Sequence, residues 1–336
     1  MEAILEVKDL VQEYKLTEGF FQSLRIENGK ICYDDKVVHA LNGVSFSVNK
    51  GEVYALVGES GCGKSTAART IIRLLEPKAG TITFRGKDIS HLPEDDLKEL
   101  RAEMQMIFQD PYDSLNPHMT VKEAIMEPIL FHQKGIVKAE AEAQVTELLD
   151  KVGLRHEHAN RYPHQFSGGQ RQRIVIARAL ALKPSFIICD EPVSALDVSI
   201  QAQILNLLKD LKDEFGFSAL FIAHDISVVR HICDRLAIMY LGGIAERGKR
   251  DQLFENPQHP YTRMLFSAVP TINEEKLVES FPIQGEIPSP INLPSGCYFH
   301  ERCPYAEDIC RKVRPQEVET EPEHFVACHK FTDMKE

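Results

Sequence analysis

The sequence predicts an α/β fold with its strands converging on a phosphate-binding loop, and three features predict it. A strand-like run, Val53 to Val57, leads into Gly58-Glu59-Ser60-Gly61-Cys62-Gly63-Lys64-Ser65-Thr66, and a helix-like run follows from Thr66 to Leu75. That order of strand, loop and helix separates a working loop from a chance match to the pattern. Farther on, Phe186-Ile187-Ile188-Cys189-Asp190-Glu191 has the composition of a parallel strand buried on both faces. It closes on two carboxylates that such a strand tolerates only where they serve a site. A third run, Ala219 to Ala223, repeats the type and closes on His224.

The loop's chemistry follows from its residues. Glycines at 58, 61 and 63 reach backbone conformations closed to residues with a Cβ, so consecutive N–H groups, including those of Ser60 and Cys62, turn inward around a phosphate. The positive end of the following helix, at Thr66, points the same way. Lys64 reaches the β- and γ-phosphates, and the Ser65 hydroxyl takes one coordination position of Mg²⁺.

At 336 residues the chain accommodates about two domains. Fifty acidic against thirty-nine basic residues, a net charge of −11, oppose general attraction to nucleic acid or anionic lipid. No apolar run approaches the roughly 18 residues of a membrane span. The acidic start, Met1 to Glu6, does not resemble a secretory signal, which predicts a cytosolic protein.

In chain order, residues 3 to 8 and 43 to 49 read as strands, and the polar, aperiodic stretch between them, Leu16 to Val37, as an inserted loop. Tyr14 is either a buried ring or a platform on which a base stacks. Thr81 to Phe84 alternates as a strand, and Met104 to Gln109 reads as another, stopped by Pro111. Gln109 there is either a ligand-facing amide at a strand end or a satisfied structural one. From Thr120 to Leu154 the pattern is helical, opened by a capping box, Thr120 with Glu123. Ser167-Gly168-Gly169-Gln170 precedes a helix over 171 to 182, as an ordinary N-cap or a second anion-binding terminus.

The strand at 186 to 191 places Asp190 as a water-mediated Mg²⁺ ligand and Glu191 as the base or anchor that positions an attacking water. Ser194 to Asp197 then opens a helix with an apolar stripe from Ile200 to Leu211, Asp197 being either its N-cap or part of the site. His224 repeats the strand-end position of Gln109 and Glu191, although a single histidine is more often structural. Arg235 to Tyr240 and Ile244 to Glu246 read as a hairpin around Gly242-Gly243. Composition turns proline-rich from Pro257, which predicts a domain boundary near 255.

Together these motifs resemble an ATP-binding cassette ATPase, over essentially the whole chain. The resemblance rests on the loop 58 to 66, Gln109, the signature 167 to 170, the carboxylates at 190 and 191, the segment 194 to 197, and His224, all in order. It implies a RecA-like core with a helical signature subdomain at about 112 to 178, inside a cassette domain spanning 1 to 255. It implies that two cassettes pack head to tail, the signature of one closing on ATP held by the other's loop. Tyr14 is then the adenine-stacking ring, His224 a γ-phosphate contact, and Gln109 the link from Mg²⁺ and water to the surface that receives membrane subunits.

More narrowly, Phe108 to Pro117, Glu191 to Ser199, His259-Pro260-Tyr261-Thr262 and the tail from Gly285 to His329 resemble ATP-binding subunits of bacterial oligopeptide/dipeptide importers. That implies a second, non-identical ATPase subunit, two transmembrane permease subunits, an extracytoplasmic peptide-binding protein, and a peripheral position on the cytoplasmic membrane face. A nickel-chelate importer subunit and a soluble non-transport cassette ATPase are the alternatives.

Cys297, Cys303, Cys310 and Cys328 crowd the end of the chain, within a Pro- and Cys-rich extension covering 256 to 336. Four thiolates suffice for a [4Fe–4S] cluster or a structural Zn²⁺; free thiols are the third reading. The first interval exceeds the usual zinc spacing, and the importer resemblance implies the cluster.

Overall fold

The computed structural model describes residues 2–16, 24–27, 30–33, 36–267 and 285–335. The chain runs through β1 (Ala3–Leu16), β2 (Leu24–Glu27), β3 (Lys30–Tyr33), β4 (Lys36–Asn49) and β5 (Val53–Val57) to helix α1 (Lys64–Ile71). Next come β6 (Ala79–Phe84), β7 (Lys87–Asp88), α2 (Leu97–Glu103), β8 (Met104–Ile107), α3 (Val121–His132), α4 (Lys138–Lys151) and α5 (Gly168–Leu180). After β9 (Phe186–Asp190) follow α6 (Val198–Phe215), β10 (Ser218–Ala223), α7 (Ile226–Ile232), β11 (Arg235–Tyr240) and β12 (Gly243–Lys249). The last are α8 (Arg250–Glu255), α9 (Pro260–Ser267), β13 (Val318–Glu321) and β14 (His324–Val326).

The larger sheet has the order β13-β14-β12-β11-β5-β10-β9-β8. Within it β11, β5, β10, β9 and β8 pair in parallel, so their carboxyl ends lie along one edge. Successive side chains leave a strand on opposite faces. Val53, Ala55 and Val57 join one core with the helices α3 to α6, while Tyr54 and Leu56 join a second with β1, β4, β6 and α1. Being buried on both faces is why these strands are continuously apolar.

The second sheet, β4-β1-β6-β7, is antiparallel and covers the second core. The helical layer starts at Thr120, whose hydroxyl accepts from Glu123 N–H while the Glu123 carboxylate accepts from Thr120 N–H, the capping box expected there.

Several elements differ from the sequence expectation. The strands expected at 3 to 8 and 43 to 49 extend toward each other and pair as far as Leu16 with Lys36. Of the stretch expected as a loop over 16 to 37, the described part includes the antiparallel pair β2 and β3, each too short for alternation to stand out; residues 17–23, 28–29 and 34–35 lie outside the described residues. Helix α1 ends at Ile71 rather than Leu75 because Arg73 takes a left-handed φ of 60°. Strand β8 ends at Ile107, before Gln109.

The described residues past 255 pack against the strands that precede them. β14 pairs with β12, Glu246 opposite Val326, and Tyr261, Met264 and Phe299 lie in the core of the parallel strands. The fully buried Glu246 carboxylate accepts the N–H groups of Gln258 and His259 and lies 2.7 Å from His324 Nε2. One carboxylate thus ties β12, the start of α9 and β14 together.

Candidate nucleotide site

The site is built where the parallel strands end, the position at which open α/β sheets bind ligands. Beyond β5 the chain enters the loop 58 to 66, which must pass between fixed neighbours. A Cβ on Gly58 would stand 2.3 Å from the Met239 carbonyl oxygen, and one on Gly63, at φ 105°, would stand 2.3 Å from that of Ala40. The loop is therefore closed to other residues at both points. Lys64 is buried and folds back over it, donating to the Gly58 carbonyl at 2.8 Å and to that of Glu59 at 3.1 Å.

Beside the loop, Ser65 Oγ donates to Asp190 Oδ1 at 2.8 Å. Burial raises the Asp190 carboxyl above its ordinary pKa, the Ser65 hydrogen bond opposing and neighbouring Glu191 reinforcing the shift. Burial likewise raises the Cys62 thiol, with Lys64 opposing.

Glu191 follows β9 in a left-handed conformation, φ 47°, that turns its side chain out of the strand direction. Its Oε2 accepts from Gln109 Nε2 at 2.9 Å and lies 3.1 Å from His224 Nδ1, while Oε1 stands 4.0 Å from Lys64 Nζ. The ends of β8, β9 and β10 thus meet on one carboxylate, Gln109 and His224 on one oxygen and Lys64 facing the other.

A cavity of about 270 Å³ opens above these groups, lined by Tyr14, Val38, Ala40, Ser60, Gly61, Gly63, Lys64, Ser65, Thr66, Gln109, Glu191 and Pro290. Tyr14, left open in the sequence, lines it. Val38, Ala40 and Pro290 escaped sequence reasoning. Val38 and Ala40 lie in the unexpected extension of β4, and Pro290 arrives from far along the sequence with no local signal, fixed by the hydrogen bond from His39 N–H to its carbonyl at 2.9 Å.

Ser167, Gly168, Gly169 and Gln170 do not line this cavity. Ser167 and Gln170 form a capping box at the start of α5, Ser167 Oγ accepting from Gln170 N–H at 3.3 Å. The glycines permit a close approach to the start of α6: a Cβ would stand 3.3 Å from Leu196 Cδ2 at Gly168 and 2.6 Å from Ile200 Cγ2 at Gly169. Asp197 occupies the N-cap position of α6 without a side-chain cap bond.

Cys297, Cys303, Cys310 and Cys328 line a second cavity, about 320 Å³, as free half-buried thiols. Burial, with the other three thiols adding to it, pushes Cys297 up to about 11, and burial does the same to Cys303. Among the described residues no three His, Cys, Asp or Glu side chains converge closely enough to hold one metal ion.

The chain matches two family models, the ABC transporter over residues 41–194 and the oligopeptide/dipeptide transporter C-terminal region over 245–310. It is 51% identical to the oligopeptide transport ATP-binding protein AppF of Bacillus subtilis, covering 98% of both chains. It is 45% identical to the di/tripeptide transport ATP-binding protein DppF of Pseudomonas aeruginosa, again over 98% of each. Among solved structures, it resembles a dimeric ATP-binding cassette bound to ADP and phosphate after hydrolysis, with a TM-score of 0.63 and 30% identity, covering 73% of this chain and 98% of that one. It resembles CbiO1 of Clostridium perfringens at the same TM-score of 0.63 and 26% identity, covering 76% and 92%.

Proposed function

This chain belongs to the family of ATP-binding subunits of oligopeptide/dipeptide ABC transporters, and on that premise we propose how its residues divide the work of hydrolysing ATP to drive peptide import. The observation that carries the proposal is the Glu191 carboxylate, held between Gln109, His224 and Lys64 at the rim of the loop cavity.

The N–H groups of 58 to 66 and Lys64 hold the β- and γ-phosphates, and Tyr14 stacks on the adenine. Ser65 and Asp190 fit a Mg²⁺ site, because a hydroxyl and a carboxylate oxygen 2.8 Å apart beside the loop are the hard oxygen donors that ion takes. Held by Ser65 and Asp190, magnesium would supply positive charge against the transferring phosphoryl group. Gln109 and His224 occupy Glu191 Oε2 and set the plane of the carboxylate. That leaves Oε1 to accept the proton of the water attacking the γ-phosphorus as the bond to the β-phosphate oxygen breaks.

Ser167 to Gln170 act on the ATP of a second cassette, in keeping with their position away from this chain's own cavity. The pair is a heterodimer with a non-identical subunit, set beneath two permease subunits and fed by a peptide-binding protein. No described helix is long and apolar enough to cross a membrane, so attachment to the cytoplasmic membrane face is peripheral, through the permeases. We divide the chain at 255 into a cassette domain, its helical part over about 112 to 178, and an extension over 256 to 336.

The extension carries a [4Fe–4S] cluster on Cys297, Cys303, Cys310 and Cys328. The ground for it is that all four thiols line one cavity of about 320 Å³, a Cys₄ set that such clusters take; a structural Zn²⁺ on the same four thiols is the alternative. Held by these four cysteines, such a group would supply cross-links that order a proline-rich segment.

Uptake of labelled peptide by cells lacking the chain tests the proposal. Wild-type chain should restore uptake and Lys64→Ala should not; restoration of nickel-chelate uptake with no effect on peptide would overturn peptide as cargo.

A further inference from the structure

Two residues of the extension grip the phosphate loop from behind. Arg302, 3% exposed, makes a bidentate ion pair with Glu59, Nη1 to Oε2 at 2.7 Å and Nη2 to Oε1 at 3.0 Å. Tyr261, fully buried, accepts the Glu59 N–H on its hydroxyl at 3.1 Å. The third polar group of the same residue, the Glu59 carbonyl, accepts from Lys64 Nζ. Every polar part of Glu59 is thus engaged, two from outside the cassette loop and one by the lysine that meets the phosphates.

Arg302 is itself rigidly placed. The segment Cys297 to Cys303 turns on itself, His300 N–H donating to the Cys297 carbonyl and Arg302 N–H to that of Phe299. The Phe299 ring packs edge-on against Tyr240 at 5.3 Å and tilted against Tyr261 at 5.4 Å. The guanidinium lies 5.7 Å from the Tyr240 ring, near the Tyr240 hydroxyl. A planar bidentate fork on a buried guanidinium fixes a carboxylate in both distance and orientation.

We propose that Arg302 is a positioning residue for ATP binding: through Glu59 it sets the curvature of the phosphate loop and the resting point of Lys64, so the extension is a working part of the nucleotide site. The proposal rests on the reading of 58 to 66 as the phosphate loop. It assigns no contact between Arg302 and nucleotide. Its consequence lies in affinity, because a loop that must first be ordered binds phosphate with the ordering cost subtracted.

The test is a double-mutant cycle on the full chain, reading MgATP affinity by calorimetry, with Lys64→Ala as a control. Arg302→Lys keeps the charge and stem but loses the fork; Glu59→Gln keeps the shape. Each should weaken MgATP binding about tenfold, the double variant should be no weaker than either single one, and nucleotide-free melting of all three should stay near wild type. Binding at wild-type strength in both single variants, with Lys64→Ala defective, would overturn the role of Arg302 and leave the loop reading intact. Additive losses, or losses matched by a collapse of the nucleotide-free melting temperature, would overturn it as a merely structural contact. Wild-type binding by Lys64→Ala would overturn both readings.

Discussion

Gln109 Nε2 donates a 2.9 Å hydrogen bond to Glu191 Oε2, joining the ends of two neighbouring parallel strands. The bond holds the carboxylate without using both of its oxygens. Gln109→Ala should therefore lower kcat by at least about tenfold while KM for ATP changes by less than about threefold. Steady-state kinetics with the partner cassette present checks this, and an unchanged kcat would remove Gln109 from the site.

Gly63 has no room for a side chain, since its Cβ would lie 2.3 Å from the Ala40 carbonyl oxygen at a φ of 105°. Gly63→Ala should cost at least about tenfold in MgATP affinity, because the loop must shift to admit the methyl group. Calorimetry on a variant with wild-type circular dichroism measures it; unchanged affinity would show that the loop adapts.

His259 is buried against Glu246, and its Nδ1 accepts the N–H of Tyr261 at 3.0 Å, an acceptor role open only to neutral imidazole. Burial lowers it from 6.5 to about 4, Glu246 opposing. Between those values the unfolded chain binds the proton and the folded chain does not, so stability is lost as pH falls from about 6.5 towards 4, by about 3 kcal/mol in the limit. Denaturant midpoints over that window should fall on acidification in wild type and less steeply in His259→Asn. Equal slopes would contradict the assignment.

Cys297 and Cys303, pushed up to about 11 by burial, are almost wholly protonated at neutral pH without metal. Their alkylation by iodoacetamide at pH 8 should run about 100-fold slower than that of a free thiol. Loading the site must then release protons, so its affinity rises with pH. Peptide-level mass spectrometry follows the alkylation; free-thiol rates would show an open, solvated cavity.

Much of the site was legible because its signals are local. Residues 58 to 66 sit between a strand and a helix, and Asp190, Glu191 and His224 each follow an apolar run that ends in a polar group, so strand ends alone placed them near one another. The capping box from Thr120 to Glu123 is a four-residue pattern and was equally plain, whereas the one at Ser167 read only as an N-cap or an anion-binding terminus. Long-range partners leave no such trace. Arg302 meets Glu59 across 243 positions and Pro290 reaches the cavity from a proline-rich stretch, contacts that exist only in the folded chain. The stop of α1 was hidden for another reason: Leu74 and Leu75 continue the apolar pattern that the left-handed Arg73 breaks.

The central claim is that Glu191 is the base for hydrolysis in a site that otherwise binds ATP normally. Its most direct measurement is the paired determination of MgATP affinity and phosphate release for Glu191→Gln with the partner cassette present. With Glu191 as the base, affinity stays within about threefold of wild type, phosphate release falls by at least about 100-fold, and an ATP-bound pair persists. Phosphate release near the wild-type rate would contradict it.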